Sequence, residues 1–341
     1  MNDMPLHIET SFKDDDYNEN YIYIKKLLKK ISKDSKLLLD NKSMISDICG
    51  HCIYNSNHSK VMIHKNDSKK VIKESRLFDI IYNMKDSNYI DNSNNIIMFI
   101  ENAISEPLNV KTFSQLNHNL PLNIINSYSF YKYKFNNYYR NVYTMDRIFG
   151  TILQTFINNN NNPENILSCF LQCIYVVLYS NLEGLFHNDL KGNNIMVNDS
   201  TSEFEQNCLK IGSYNIKFRY KNTNIIKLVD YASSKKINNK IIPIEVYQIV
   251  NIFNYLLSDI NFDNKEIILD IINKFDIYND ILIKYKFPIW IRQCISLVTE
   301  TRFKKLPKLN IHYENQLIYI IFELSVILKK YYPNININIS I

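Results

Sequence analysis

The chain has 341 residues, 46% of them hydrophobic, with a formal net charge of +6. That is enough apolar content for a real core, so a disordered chain is excluded despite the many Asn residues. The charge is mild, and the basic runs Lys25-Lys26, Lys29-Lys30 and Lys235-Lys236 are short and separate, so they read as solvated faces rather than a nucleic-acid stripe.

The 6 Cys residues are scattered, as expected of a reduced, cytoplasmic protein. Richness in Asn, Ile, Lys and Tyr with only 5 Gly points to an AT-rich genome. Residues 1–16 are polar and acidic and read as a mobile tail, without the apolar segment of a leader. Residues 17–39 carry Ile22, Ile24, Leu27, Leu28, Ile31 and Leu37–Leu39 between lysines, which predicts an amphipathic helix.

The stretch Cys49-Gly50-His51-Cys52 admits three readings. Its thiol spacing is that of disulfide isomerases, but no long strand of a parallel sheet precedes it. Cys49, Cys52, His58 and His64 are zinc-ligand types without the usual finger spacing. The third reading makes Gly50 the turn between two strands.

Lys60 to Lys65 alternates as a strand, with Val61, Ile63 and Lys65 on one face. Residues 71–81 read as a helix with Ile72, Leu77, Ile80 and Ile81 inward. Asn95 to Ala103 is an apolar strand ending in a polar break, and 105–145 predicts loops and a short helix. Asn162-Pro163-Glu164 opens the best helix, with Asn as cap, Pro in the first turn and Glu against the dipole. Its stripe is Ile166, Phe170, Cys173, Ile174, Val177 and Leu178, and Gly184 is the stop. Ser168, Gln172 and Asn181 interrupt the apolar run, so it predicts a buried helix and no membrane span.

That helix feeds Leu185-Phe186-His187-Asn188-Asp189-Leu190-Lys191-Gly192-Asn193-Asn194, which reads His-x-Asp-Leu-Lys-x-x-Asn. Such an arrangement suits phosphoryl transfer. Asp189 can accept a hydroxyl proton, Lys191 can neutralise developing phosphate charge, and Asn194 can hold a magnesium ion. A β-rich run, Ile225 to Asp230, follows and ends on a second oxygen ligand, Asp230. Together these stretches resemble the catalytic loop and the Asp-Phe-Gly segment of protein kinases, closest to the divergent Ser/Thr kinases of large cytoplasmic DNA viruses such as poxviruses.

The resemblance implies an α+β, two-lobed fold, with a small β-rich lobe at 45–101 and a mainly helical lobe at 102–341. Residues 1–44 would precede both, and a hairpin would be inserted near 199–224, where Ile211, Tyr214, Ile216 and Phe218 alternate. It implies ATP and Mg²⁺ as cofactors and a protein hydroxyl as acceptor, with no nucleic-acid partner. By the same resemblance, Gly50 stands for a degenerate Gly-rich loop, Lys65 (or Lys60) for the phosphate-binding Lys, and Glu74 for its helix partner. Glu101 to Ala103 would bind the adenine edge and Ile100 would border the base. Glu245 or Gln248 lies where the family braces its catalytic loop.

The chain departs from the pattern at Asn188, where an Arg is usual, and at Ala232, where a Gly is usual, and it has no Ala-Pro-Glu. The missing Ala-Pro-Glu leaves a small-molecule kinase of the choline or aminoglycoside type as an alternative, and the thin Gly-rich loop leaves a pseudokinase scaffold as another. Lys191 favours a protein acceptor.

Overall fold

The computed structural model describes residues 37–39, 47–55, 59–75, 106, 109–118, 127–135, 138–237, 243–277 and 309–341. It is α+β, with sheets that are antiparallel except for one strand pair. The chain divides into two compact units. Residues 1–108 and 127–147 form the first, and 109–126 and 148–341 the second. The sequence expectation ended the first lobe at 101; the return of 127–147 to the first unit was not foreseen.

The first unit holds a six-stranded sheet in the order β1-β5-β6-β4-β3-β2. The strands are β1 (Leu37–Leu39), β2 (Cys49–Asn55), β3 (Ser59–His64), β4 (Asp67–Ser75), β5 (Ser127–Phe135) and β6 (Tyr138–Asp146). The predicted strand from Lys60 forms as β3 but ends at His64, with Lys65 in the following turn, and Met62 and Ile63 are both buried rather than alternating. The predicted helix from 71 does not form over its described part, because 67–75 is strand. The β-branched pair Val71-Ile72 favours a pleated, half-buried surface. β3 and β6 hydrogen-bond β4 on both sides, so Ile72 lies between Met62 and Thr144 in register. Met62, Ile72 and Val142 form a buried cluster, with Ile48 and Cys49 against it. Residues 37–39 are a strand parallel to β5 rather than the end of an amphipathic helix; the rest of that predicted helix lies outside the described residues.

The second unit is built on the helix that Asn162 opens. Its side-chain oxygen accepts from the backbone N–H of Glu164 and Asn165, at 2.9 and 3.4 Å. After β7 (Gly150–Ile152) and α1 (Leu153–Asn159), this helix is α2 (Pro163–Leu182). It is long and apolar enough to cross a membrane, but 89% of its most apolar window is buried in the protein. Its polar interruptions have partners. The Gln172 amide donates to Ser168 Oγ and to Asn224 O, and its oxygen accepts from Ile226 N–H. Tyr175 OH accepts from Leu209 N–H and donates to Ile216 O.

Those acceptors and donors belong to the expected hairpin, β9 (Ile195–Ile211) and β10 (Tyr214–Leu228). Gly212 makes the turn at φ +58°. Ile216, Phe218 and Tyr220 are buried while Asn215, Lys217 and Arg219 are exposed, as a period of two requires. The sheet order is β12-β10-β9-β7. On the other side, Phe170 of α2 meets Phe253 and Phe275 edge-on at 5.2 and 5.7 Å. Phe253 lies on α3 (Glu245–Leu257), and Phe275 caps α4 (Lys265–Lys274). The last helix, α5 (Ile311–Tyr331), stops at Tyr332-Pro333 as read from sequence, and β12 (Ile335–Ser340) follows it unforeseen. Trp290, Ile291, Cys294, Ile295, Leu297 and Val298 lie outside the described residues.

Candidate functional site

Helix α2 ends on Gly184, whose φ is +77°. A Cβ there would sit 2.3 Å from Ile237 O, so both the left-handed backbone and the close approach require glycine. The chain then forms β8 (Leu185–Phe186), paired with β11 (Lys235–Lys236). This pairing sets the two ends of the site beside one another.

Three residues on, Asp189 Oδ2 accepts from Lys191 Nζ at 2.8 Å and from Asn194 Nδ2 at 3.0 Å. Asn194 Nδ2 also donates to Asp189 O, at 2.8 Å. Asp189 is partly exposed and Lys191 half-exposed, so the carboxylate and the ammonium can both meet a solute. Asn194 is buried in a short 3₁₀ turn, Gly192–Asn194. With its amide nitrogen committed to Asp189, its oxygen is the atom left for a cation.

Asp230 is brought to the same place through the backbone. Val229 N–H donates to Asn194 O at 2.9 Å, and His187 Nε2 lies 2.9 Å from Val229 O. Asp230 itself is left-handed at φ +66°, and so is Asn188 at φ +61°. Asn and Asp take this backbone more readily than other non-glycine residues, and here the surrounding bonds hold it. Beyond Asp230, a 3₁₀ turn (Tyr231–Ser233) packs the Tyr231 ring between Phe113 and His187, at 4.6 and 5.0 Å. Asn188 Nδ2 donates to Ser233 O and Ser234 Oγ donates to His187 O, so the turn is tied back to the loop.

Beneath the loop lies Glu245, 1% exposed. Its Oε2 accepts from Asn181 Nδ2 at 2.6 Å and His187 N–H at 3.1 Å, and its Oε1 accepts from Asn188 N–H at 2.6 Å. Burial pushes its carboxyl above the usual range; His187 and these donors draw it partly back. Of the two candidates read from sequence, Glu245 is therefore the brace. Gln248 makes no contact with the loop that the described hydrogen bonds include.

The first unit disposes of its expected residues differently. Gly50 lies within β2, not at a turn. A Cβ on it would meet Ile63 O at 2.9 Å, and the pairing with β3 shifts register between Cys49 and Cys52. Lys65 is exposed in the β3–β4 turn. Glu74 is buried on a strand, opposite Lys60 and Val142, rather than on a helix. Ile100, Glu101 and Ala103 lie outside the described residues. A part-buried ion pair in this unit was missed by the sequence reading: Lys73 of β4 with Glu106, whose side chains are 12% and 4% exposed. Reading Val71-Ile72-Lys73 as strand after the Asn66-Asp67 turn signal would have exposed the Lys. Nothing local marks Glu106.

Burial, with Glu74 nearby, raises the Cys49 thiol to about 11, so it is a poor source of thiolate. Among the described residues, no three His, Cys, Asp or Glu side chains cluster as a metal site. No protein-family model matches the chain, and no curated protein matches it.

Proposed function

We propose that the chain is an ATP-dependent phosphotransferase of the protein-kinase type, acting on a protein Ser or Thr hydroxyl. The first unit would be the family's β-rich lobe and the second its larger lobe. The observation that carries the reading is the Asp189–Lys191–Asn194 cluster, hydrogen-bonded through its backbone to the segment bearing Asp230.

In this reading Asp189 receives the proton of the acceptor hydroxyl as the oxygen attacks the γ-phosphorus in line and the bond from that phosphorus to the bridging oxygen breaks, releasing ADP. Asn194, held at 3.0 Å, keeps the Asp189 carboxylate turned toward the incoming hydroxyl. Lys191 stands against charge that grows on the phosphoryl oxygens. Asn194 and Asp230 offer hard oxygen donors of the kind magnesium takes while keeping several waters, so the residues fit that ion. Magnesium, when bound, would neutralise phosphate charge. Glu245 supports the loop from below by accepting from the two backbone N–H groups that precede Asp189.

The family's Lys–Glu ion pair, assigned from sequence to Lys65 and Glu74, is better matched by Lys73 and Glu106. The decisive assay is a phosphate-transfer screen against a casein-like protein and against amino alcohols, with nucleotide binding measured with and without magnesium. Transfer to the protein supports the proposal. Transfer to amino alcohols alone would assign the small-molecule type. Binding without any transfer would defeat the enzyme reading.

A further inference from the structure

Asp230 is positioned from both sides, and only one side is the catalytic loop. On the other side stands Asn109, within a helical stretch described over 109–114. Its Nδ2 donates to Tyr231 O at 2.9 Å and to Ser234 O at 3.0 Å. Tyr231 O and Ser234 N–H close the 3₁₀ turn that directly follows Asp230, at 3.1 Å. One amide group thus spans both ends of that turn. Phe113, one helical turn after Asn109 and on the same face, packs on the Tyr231 ring at 4.6 Å. The Tyr231 hydroxyl is fixed to Leu228 O at 3.0 Å.

Both hydrogen bonds of this amide run to a turn more than 120 positions away in the chain. We propose that Asn109 is a positioning residue that locks the turn after Asp230, and so holds Asp230 in its left-handed, ligand-ready conformation. The tethered carbonyls of Tyr231 and Ser234 flank the turn and oppose a change of backbone at Asp230. The lock is neutral, so salt does not screen it and phosphorylation is not needed to form it.

The lock itself does not depend on the phosphotransferase reading; its effect on magnesium use does. Asn109→Asp keeps the shape of the side chain and removes its donors, and Asn109→Ala removes the group. Hydrogen exchange of the full-length chain should show the Ser234 amide exchanging about tenfold faster in both variants, the order expected for losing two hydrogen bonds. Amides of α2 should be unchanged. Exchange at Ser234 equal to wild type overturns the proposal. So does an equal acceleration in α2, which would make Asn109 a general stability residue.

With a casein-like protein as acceptor, the magnesium concentration for half-maximal rate should rise about tenfold, while the rate at saturating magnesium holds within about threefold. An unchanged magnesium requirement overturns the link to Asp230. A wild-type chain that transfers no phosphate refutes the proposed function alone, and the exchange result still decides the lock.

Discussion

Glu245 offers the sharpest test of how the site is held. Replacing it with Ala removes the acceptor of three buried N–H groups at once: those of His187 and Asn188, and one of the Asn181 amide, which keeps its bond to Leu185 O. Each buried donor left without a partner costs about 1–3 kcal/mol. Against this, the variant escapes the burial of a carboxylate, a penalty of several kcal/mol that the raised carboxyl shows is only partly compensated. The net expectation is a loss of about 3 kcal/mol, which lowers the melting temperature of a unit of this size by about 6–12 °C.

The pH dependence separates this account from simple cavity formation. A carboxyl raised in the folded state stabilises fully below its unfolded value, and that stabilisation is lost as pH rises through the folded value. Wild type should therefore lose stability with rising pH above about 4.3, the unfolded reference. Glu245→Gln, which cannot titrate, should lack that component. Thermal unfolding of both chains from acid to neutral pH tests it. A stability gap in favour of wild type that widens with pH would refute the reasoning, since it would mean a depressed carboxyl.

Asp189→Asn should cut turnover by about 10²–10⁴ with nucleotide affinity spared; unchanged turnover removes its role as proton acceptor. Asp230→Ala and Asn194→Ala should each raise the magnesium needed for activity, and an unaltered dependence for Asp230→Ala would mean the segment has been misassigned. Glu106→Ala should destabilise by about 1–3 kcal/mol, because it removes an ion-pair partner of the part-buried Lys73, whereas Lys65→Ala in its exposed turn should stay within about 0.5 kcal/mol. Denaturant melts of the two variants decide between those assignments. Phosphatase treatment should leave the initial rate within about threefold; a fall beyond tenfold, about 1.4 kcal/mol of transition-state stabilisation, restored on rephosphorylation of Ser233 or Ser234, would show the segment is switched after all.

The second unit was the more legible because its signals are local. Asn162-Pro163 and Gly184 bracket α2 through capping chemistry that a short window contains. The hairpin shows its period of two over Ile211 to Tyr220, and the Asp189 loop carries its spacing in one stretch. The first unit's errors share a cause. Val71 to Ile81 has apolar spacing that fits a helix, but pairing with β3 and β6 decided for strand over its described part. The β5–β6 hairpin was available from alternating aromatics flanking Asn136-Asn137, and was passed over as loop. Lys73 and Glu106 are 33 positions apart, and their pairing is tertiary. So is the choice of Glu245 over Gln248, which turns on which carboxylate or amide oxygen meets the loop's N–H groups.

Two asparagines do work at this site that charge would do elsewhere. Asn188 stands where the resembled family carries Arg, and it reaches Ser233 O directly, at 3.2 Å. Asn tolerates the left-handed backbone better than most residues, which suits its φ of +61°. Holding both Asn188 and Asp230 left-handed costs about 2–4 kcal/mol. The hydrogen bond from Asn188 N–H to the Glu245 carboxylate returns about 1.5–3 kcal/mol, and the neutral bonds of Asn188 Nδ2, Val229 N–H and His187 Nε2 return about 1 kcal/mol each. The bonds outweigh the strain by about 2 kcal/mol without any ligand or phosphate. With the Asn109 contacts to the following turn added, the left-handed geometry at Asp230 is held by the protein's own bonds.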